Sequence, residues 1–440
     1  MLLFLVPLML SNILQSASGT FTSIYLGRMI GVGALAAASS IFPMLFFLIS
    51  FFIGISSGST VLIGQAFGAG DQERMDRAAG TTLWIALTLG VLIGIIGYFA
   101  DGPILRLIGT PADIFEDAKA YARIIFVTMP VTFVFLGYTT MLRGVGDSRT
   151  PFFVLLATTI IGISITPLLI LGKLGLPPLG VVSAPIANIG STVIGLIGMY
   201  AYLEYKQNPL ALSNILPYTK LDVSIAQKII RIGVPTGIQF VMVSLSEIAV
   251  ITFVNRFGST ATAAYGAVNQ VVSYVQFPAI SIGIASSIFG AQSIGAQRFD
   301  RLRTIVRSGI MLNFAIGGIL IAIVYAFSWL ILGTFVRDSA TLATAHDLLV
   351  ITLWSYVIFG TNSVLSGVMR SSGTVLWPTT ISVFSIWAVE VPIAYVLSHH
   401  TSLGLRGVWI AYPVAFIVGL ALQTLYYKLV WQKRKITAIA

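Results

Sequence analysis

Apolar stretches long enough to be membrane-crossing helices recur twelve times along this chain of 440 residues, and no other feature constrains its fold as tightly. A helix of about 20 residues covers the ~30 Å hydrocarbon layer of a bilayer. The stretches run near 2–26, 36–67, 79–100, 118–142, 151–172, 180–203, 226–255, 261–291, 305–333, 343–368, 375–397 and 406–430. Period-two alternation is absent, which argues against a transmembrane β-barrel. With 57% hydrophobic and 9% charged residues, the chain has too few charges to clothe a water-soluble globule. The expected fold class is all-α integral membrane. The first stretch lacks the basic start of a secretory leader and stays apolar beyond Ser16, Ala17 and Ser18, so it reads as a span.

The net charge is +10, from 25 Lys and Arg against 15 Asp and Glu. In a soluble chain that excess would suggest nucleic acid. Here the basic residues fall in loops, and no nucleic-acid partner is expected. Seventeen of the 25 lie in the even-numbered loops and the C-terminus, among them Arg74, Arg77, Arg149, Lys206, Lys220, Arg301 and Lys433; Arg337 is one of the remaining eight. The positive-inside rule then puts both termini in the cytoplasm of a cell (plasma or inner) membrane. There is no cysteine, and three histidines (His346, His399 and His400) leave little scope for a His-rich metal centre. No Walker A pattern is present. No cofactor is expected, and the chain reads as a transporter rather than an enzyme.

Sliding the sequence against itself by 227 residues aligns Gly31 with Gly258, Gln65 with Gln292, Arg74 with Arg301, Arg143 with Arg370, Pro151 with Pro378 and Gly180 with Gly407. A constant offset held over such a length predicts two six-helix lobes, 1–205 and 225–440, joined by a polar cytoplasmic linker at 206–224. Six is even, so both lobes enter from the same side and are related by a pseudo-two-fold axis along the membrane normal. The segment SIAQKIIRIG after the linker reads as an amphipathic helix lying along the interface. Two similar halves suit alternating access.

Several motifs carry a resemblance. The stretches SIYLGRMIGVGALAAAS, GQAFGAGDQERMDR, MLRGVGDSRTP and GVVSAPIAN in the first half, and AAYGAVNQ, GAQSIGAQRFDR and GVMRSSG in the second, resemble the MATE (multidrug and toxic compound extrusion) transporters. The resemblance covers essentially the whole chain. It implies a twelve-helix, two-lobe protein that expels organic cations and drugs in exchange for H⁺ or Na⁺. The wider superfamily also holds flippases for lipid-linked oligosaccharides.

Carboxylates deep in a membrane are costly and are functional candidates by default. Glu247 in the seventh stretch and Glu390 in the eleventh are the two acids away from loops and helix ends. Desolvation favours the neutral form of a carboxyl group, which suits proton loading; the ionised form suits Na⁺ or a cationic drug. Both residues are expected to couple ion to substrate. Many MATE relatives carry acids at positions that align here with Thr22, Thr166, Val243 and Phe359, so this chain departs from that pattern. Glu247 lies one turn after Val243 and is placed to substitute. Candidate substrate-binding residues are Gln239, Asn269, Gln270, Asn362, Trp354, Tyr356 and Trp387 in the C-terminal half, with Thr22 and Asn188 in the other. Aromatic faces attract lipophilic cations, while interfacial anchoring and interhelical hydrogen bonding are the competing roles. The expected partners are a small-molecule substrate, H⁺ or Na⁺ and membrane lipid, and the chain is expected to be a monomer. A flippase for a lipid-linked or amphipathic substrate is the alternative; the lack of Lys and Arg in mid-span favours the exporter.

Overall fold

The computed structural model describes every residue but 174, 176, 219, 220, 337 and 440, and every side chain among the rest except that of Pro43. Lys220 and Arg337 therefore lie outside the described residues. Among the described residues twelve helices are long and apolar enough to cross a membrane: α1 (Leu2–Ile30), α2 (Val32–Ala69), α3 (Gln72–Leu107), α4 (Phe115–Gly144), α5 (Arg149–Ile170), α6 (Gly180–Tyr205), α7 (Val223–Asn255), α8 (Ser259–Gly295), α9 (Asp300–Ala326), α10 (Ser339–Ser371), α11 (Leu376–His399) and α12 (Leu405–Lys433). No strand occurs among the described residues.

Local chemistry sets the ends. Asp71 accepts from the Arg74 amide at 3.0 Å and starts α3. Asp338 does the same for α10 through Thr341, at 2.9 Å. Such side chains satisfy amide donors left free at a helix start. The repeat is written in the backbone as well. Gly146 and Gly373, equivalent under the 227-residue shift, follow α4 and α10 with φ of 89° and 75°. Gly70 and its equivalent Gln297 follow α2 and α8 with φ of 71° and 56°. Glycine enters this left-handed region freely, whereas Gln297 adopts it against its side-chain preference.

Two sequence expectations are corrected. The segment SIAQKIIRIG is not a separate interfacial helix; it forms the first turns of α7, which runs unbroken from Val223 to Asn255. Asp222 accepts from the Ile225 amide at 3.1 Å and begins the helix there. The next helix breaker is Pro235, and the helix continues through it. The ninth stretch does not extend to 333 as one helix. It stops at Ala326, and a short helix, Ser328–Gly333, follows Phe327.

Besides the 3₁₀ turns that begin α6 and end α12, three helices contain irregular turns. The last turn of α1, Leu26–Ile30, and the middle of α11, Ser385–Glu390, are π-helical; α10 is interrupted by a 3₁₀ turn at Leu353–Ser355. Composition does not announce such turns, and π-bulges are frequent at functional sites.

The helices group into two compact units. One holds Leu2–Phe67 and Asp71–Ile230; the other holds Arg231–Ile439 with Met1 and Gly68–Gly70. In the N-terminal unit α3 packs on α4, α5 on α6, and α4 on α6. In the C-terminal unit α9 packs on α10, α11 on α12, and α10 on α12, the equivalent pairs. Glycine makes the α3–α4 contact close: a Cβ on Gly90 would come within 2.5 Å of Pro130 Cα, and one on Gly94 within 2.8 Å of the Phe126 carbonyl. Small residues let membrane helices approach this way. Phe52 and Phe133 stack beside them at 4.1 Å. The C-terminal unit uses a polar staple at its α9–α10 contact, where buried Asn313 donates to the Val357 carbonyl at 2.8 Å. The segment after α6 belongs to the N-terminal unit. Tyr138 donates to the Leu210 carbonyl at 2.6 Å, Gln72 to that of Pro209 at 2.9 Å, and Arg77 pairs with Asp222.

Candidate functional site

Glu247 and Glu390 belong to the same unit, on α7 and α11. The Tyr265 hydroxyl, from α8, donates to Glu247 Oε2 at 2.7 Å. Tyr412, from α12, approaches the same carboxylate outside hydrogen-bond geometry, and its hydroxyl is buried without a partner. Asn269 lies one turn beyond Tyr265 and comes near its hydroxyl. The Glu247 residue is exposed.

Glu390 differs. It is only 4% exposed, and its side chain makes no hydrogen bond or ion pair among the described residues. It is the last residue of the π-helical turn in α11. Its charge lies close enough to that of Glu247 for the two to interact.

A column of aromatic contacts begins at Tyr265, the partner of Glu247. Tyr265 stacks on Trp409 at 5.1 Å, Trp409 on Tyr412 at 6.0 Å, and Phe416 meets both Tyr356 and Phe359 at 5.4 and 5.3 Å. The buried Trp409 Nε1–H has no acceptor. Tyr356, expected as a substrate residue, is within electrostatic reach of both carboxylates.

The other expected residues scatter. Trp387 donates from Nε1 to the Met242 carbonyl at 3.2 Å and ties α11 to α7. Gln239 Oε1 and Asn362 Oδ1 are buried acceptors without donors. The Asn362 amide faces Gly419, beside Ser385 Oγ. Trp354 is 44% exposed, and its backbone amide donates to the Tyr325 hydroxyl. Gln270 and Asn188 are exposed. In the N-terminal unit the Thr22 hydroxyl donates to the Ser18 carbonyl at 3.0 Å, and that of Thr166 to the Gly162 carbonyl at 2.7 Å. Hydroxyls turned back on their own helix are spent locally. Two further acids are buried, at the ends of α3. Asp76 accepts from Gln72 at 2.8 Å, and Asp101 pairs with Arg123 at 2.5 Å.

Sequence reasoning passed over Tyr265, Trp409 and Tyr412. The repeat offered a signal: their equivalents in the first half are Ala38, Val182 and Pro185. Hydrogen-bonding aromatic residues in only one copy of a duplicated scaffold mark where the copies diverged chemically. Among the described residues no cluster of three His, Cys, Asp or Glu forms a metal site of the usual kind.

Comparison with known proteins agrees with this architecture. The MatE family model matches twice, over residues 7–168 and 235–396, one copy in each half. The chain is 52% identical over 440 residues to the probable multidrug resistance protein YoeA of Bacillus subtilis, covering 100% of this chain and 95% of that one. It is 26% identical over 437 residues to the probable multidrug resistance protein NorM of Thermotoga maritima, covering 98% and 92%. In fold it resembles the Vibrio cholerae MATE transporter VcmN, with a TM-score of 0.90 at 19% identity over 99% of this chain and 97% of that one. A MOP superfamily transporter from Pyrococcus furiosus gives a TM-score of 0.88 at 22% identity over 97% and 94%. With the family model matched in both halves and a relative half identical along the whole chain, this protein belongs to the MatE family of MATE membrane transporters.

Proposed function

We propose that the protein is an antiporter that exports organic, mainly cationic, drug-like compounds from the cell in exchange for H⁺ or Na⁺. The observation that carries this reading is the juxtaposition of Glu247 and Glu390 within one unit, amid aromatic faces. Glu247 is the principal coupling carboxylate and Glu390 its partner. Tyr356 and Trp387, with Gln239, Asn269, Gln270, Asn362 and Trp354, offer aromatic and amide contacts to the substrate; Thr22 and Asn188 are the contributions of the first half. The relatives named for multidrug resistance support the substrate class.

The mechanism follows from charge. A lipophilic cation is held by an ionised carboxylate and by ring faces. Protonation or Na⁺ removes the attraction, so ion and substrate compete for one site. Alternating access of two lobes, 1–205 and 225–440, then exchanges them across a cell membrane, with the 206–224 linker and both termini in the cytoplasm. The chain acts as a monomer surrounded by lipid. A flippase of anionic headgroups would need cationic residues in mid-span, and the sequence offers none there.

Dye efflux from vesicles under separately imposed pH and Na⁺ gradients tests the reading. Glu247→Gln keeps shape and hydrogen bonding but cannot ionise. It should reduce gradient-driven efflux to the level of empty vesicles while expression holds. In the native chain, substrate affinity should fall as the medium is acidified, and this dependence should vanish in the Gln variant. Transport by Glu247→Gln at the native rate, with the native pH profile, overturns the assignment.

A further inference from the structure

Arg256 directly follows α7, and His399 ends α11. An Arg256 guanidinium nitrogen lies 2.6 Å from His399 Nε2. A guanidinium only donates, so Nε2 must carry a lone pair. The other ring nitrogen, Nδ1, lies 3.0 Å from the Tyr395 carbonyl, which only accepts, and 2.8 Å from Ser398 Oγ. Nδ1 therefore carries the hydrogen. Two independent contacts select the same neutral tautomer. The ring is held by Tyr395, stacked at 4.5 Å, and by Phe253 of α7, edge-on at 5.9 Å.

We propose that Arg256 and His399 form a second proton-responsive site, a latch between the ends of α7 and α11 that proton binding to His399 opens. Adding a proton to Nε2 removes the acceptor and sets an imidazolium against a guanidinium. The charged and titratable groups around the ring are Arg256 just after α7, Tyr395 on α11 and His400 just after α11; His400 meets Tyr395 at 5.7 Å. No carboxylate pairs with Arg256, His399 or His400 among the described residues. Arg406 is paired with Asp347. Among the described residues no carboxylate contact offsets two adjacent cations here.

Position gives the latch a use. Arg256 lies nine residues after Glu247 on α7, and His399 nine residues after Glu390 on α11. The two helices that carry the acids are thus joined at the end which the proposed topology places outside. Imidazole is the side chain that titrates between pH 5 and 8. Proton uptake at Nε2 opens the latch, so acidifying that side favours the open form. Its role in transport rests on the antiport reading above; its existence does not.

The chain lacks cysteine, so spin labels at Thr252→Cys and Val396→Cys, both exposed positions on these helices, report their separation in the full protein in nanodiscs. Between pH 8 and pH 5 the separation should lengthen. His399→Gln still accepts from Arg256 but takes up no proton. Arg256→Gln removes the opposing charge and can bond either form of the ring. Both variants should stay at the pH 8 separation throughout, whereas Glu247→Gln should lengthen as the native chain does. A constant separation in the native chain, or a native-like lengthening in both Gln variants, overturns the latch. Because the readout is a distance, a loss of transport in Glu247→Gln bears only on the antiport reading.

Discussion

The two units share their helix pairings but not what sits between the helices. In the N-terminal unit α3 and α4 meet through Gly90 and Gly94, and the hydroxyls at Thr22 and Thr166 are turned back on their own helices. In the C-terminal unit the equivalent α9–α10 contact carries Asn313, only 1% exposed, and the neighbouring helices present Glu247, Glu390 and a column of aromatic rings. The duplication preserved a scaffold, while the ionisable chemistry at its centre is confined to one copy. A carboxyl group out of water is costly and persists where it is used. The asymmetry is the ground for proposing that the C-terminal half senses the ion, and it is open to experiment in three places.

The largest effect is expected at the acids, set against a hydroxyl of the first half. Glu247→Gln should remove gradient-driven efflux, as argued above. Thr166→Val removes only a back-bonded hydroxyl. Hydrogen bonds inside membrane proteins average on the order of 0.6 kcal/mol, so this variant should keep efflux within about threefold of native. Equal losses in both units, read by the same vesicle assay, would make the ion site a property of both copies and end the comparison.

A second, smaller effect concerns packing. Gly90 and Gly317 are equivalent under the repeat, yet their surroundings differ. A Cβ at Gly90 meets Pro130 backbone at 2.5 Å, whereas one at Gly317 meets only Val357 Cγ2 at 3.6 Å and Asn313 Oδ1 at 3.9 Å. Gly90→Ala forces two backbones apart and should cost about 1–3 kcal/mol. Gly317→Ala fits an ordinary gap and removes a helix-weakening glycine, for a gain of up to about 1 kcal/mol. Thermal unfolding in detergent should move in opposite directions for the two variants. A matching fall in both would show that the pairings are packed alike.

These contrasts also mark what the sequence made legible. The twelve spans follow from hydropathy, because a bilayer demands about 20 apolar residues per crossing. The duplication follows from the constant offset, and the family model matches each copy in turn. Glu247 and Glu390 stand out because acids are rare at that depth. What the sequence hid depends on neighbours brought together by folding. Tyr265 becomes part of the site only where α8 lays its hydroxyl against α7, and Trp409 and Tyr412 only through their stacking on it. The π-helical turn at Ser385–Glu390 adds a residue to one turn of α11, and no residue type within it signals that. The interfacial reading of SIAQKIIRIG was misled by amphipathic spacing, which a helix start at Asp222 produces equally well.

The smallest effect lies in the segment after α6, which is docked on the N-terminal unit through Gln72, Tyr138 and Arg77. Asp222 does two jobs there: it accepts from the Ile225 amide to start α7, and it pairs with Arg77 of α3. The Ile225 amide, with Arg77 adding to it, holds the Asp222 carboxyl below its ordinary range against a modest opposing cost of burial. A group with a lowered folded-state pKa adds stability above its unfolded pKa, and that contribution is lost as pH falls through the folded value. Asp222→Asn keeps an oxygen for the Ile225 amide and loses only the charge. Its thermal midpoint should therefore lie slightly below native at pH 7, and the gap should close in acid once Asp222 is protonated in the native chain. Added salt should narrow the gap at pH 7, because the partner Arg77 is 46% exposed and such pairs are screened. A gap that stays constant from pH 7 into strong acid would assign the contribution of Asp222 to helix capping alone, leaving Gln72 and Tyr138 to hold the segment on the N-terminal unit.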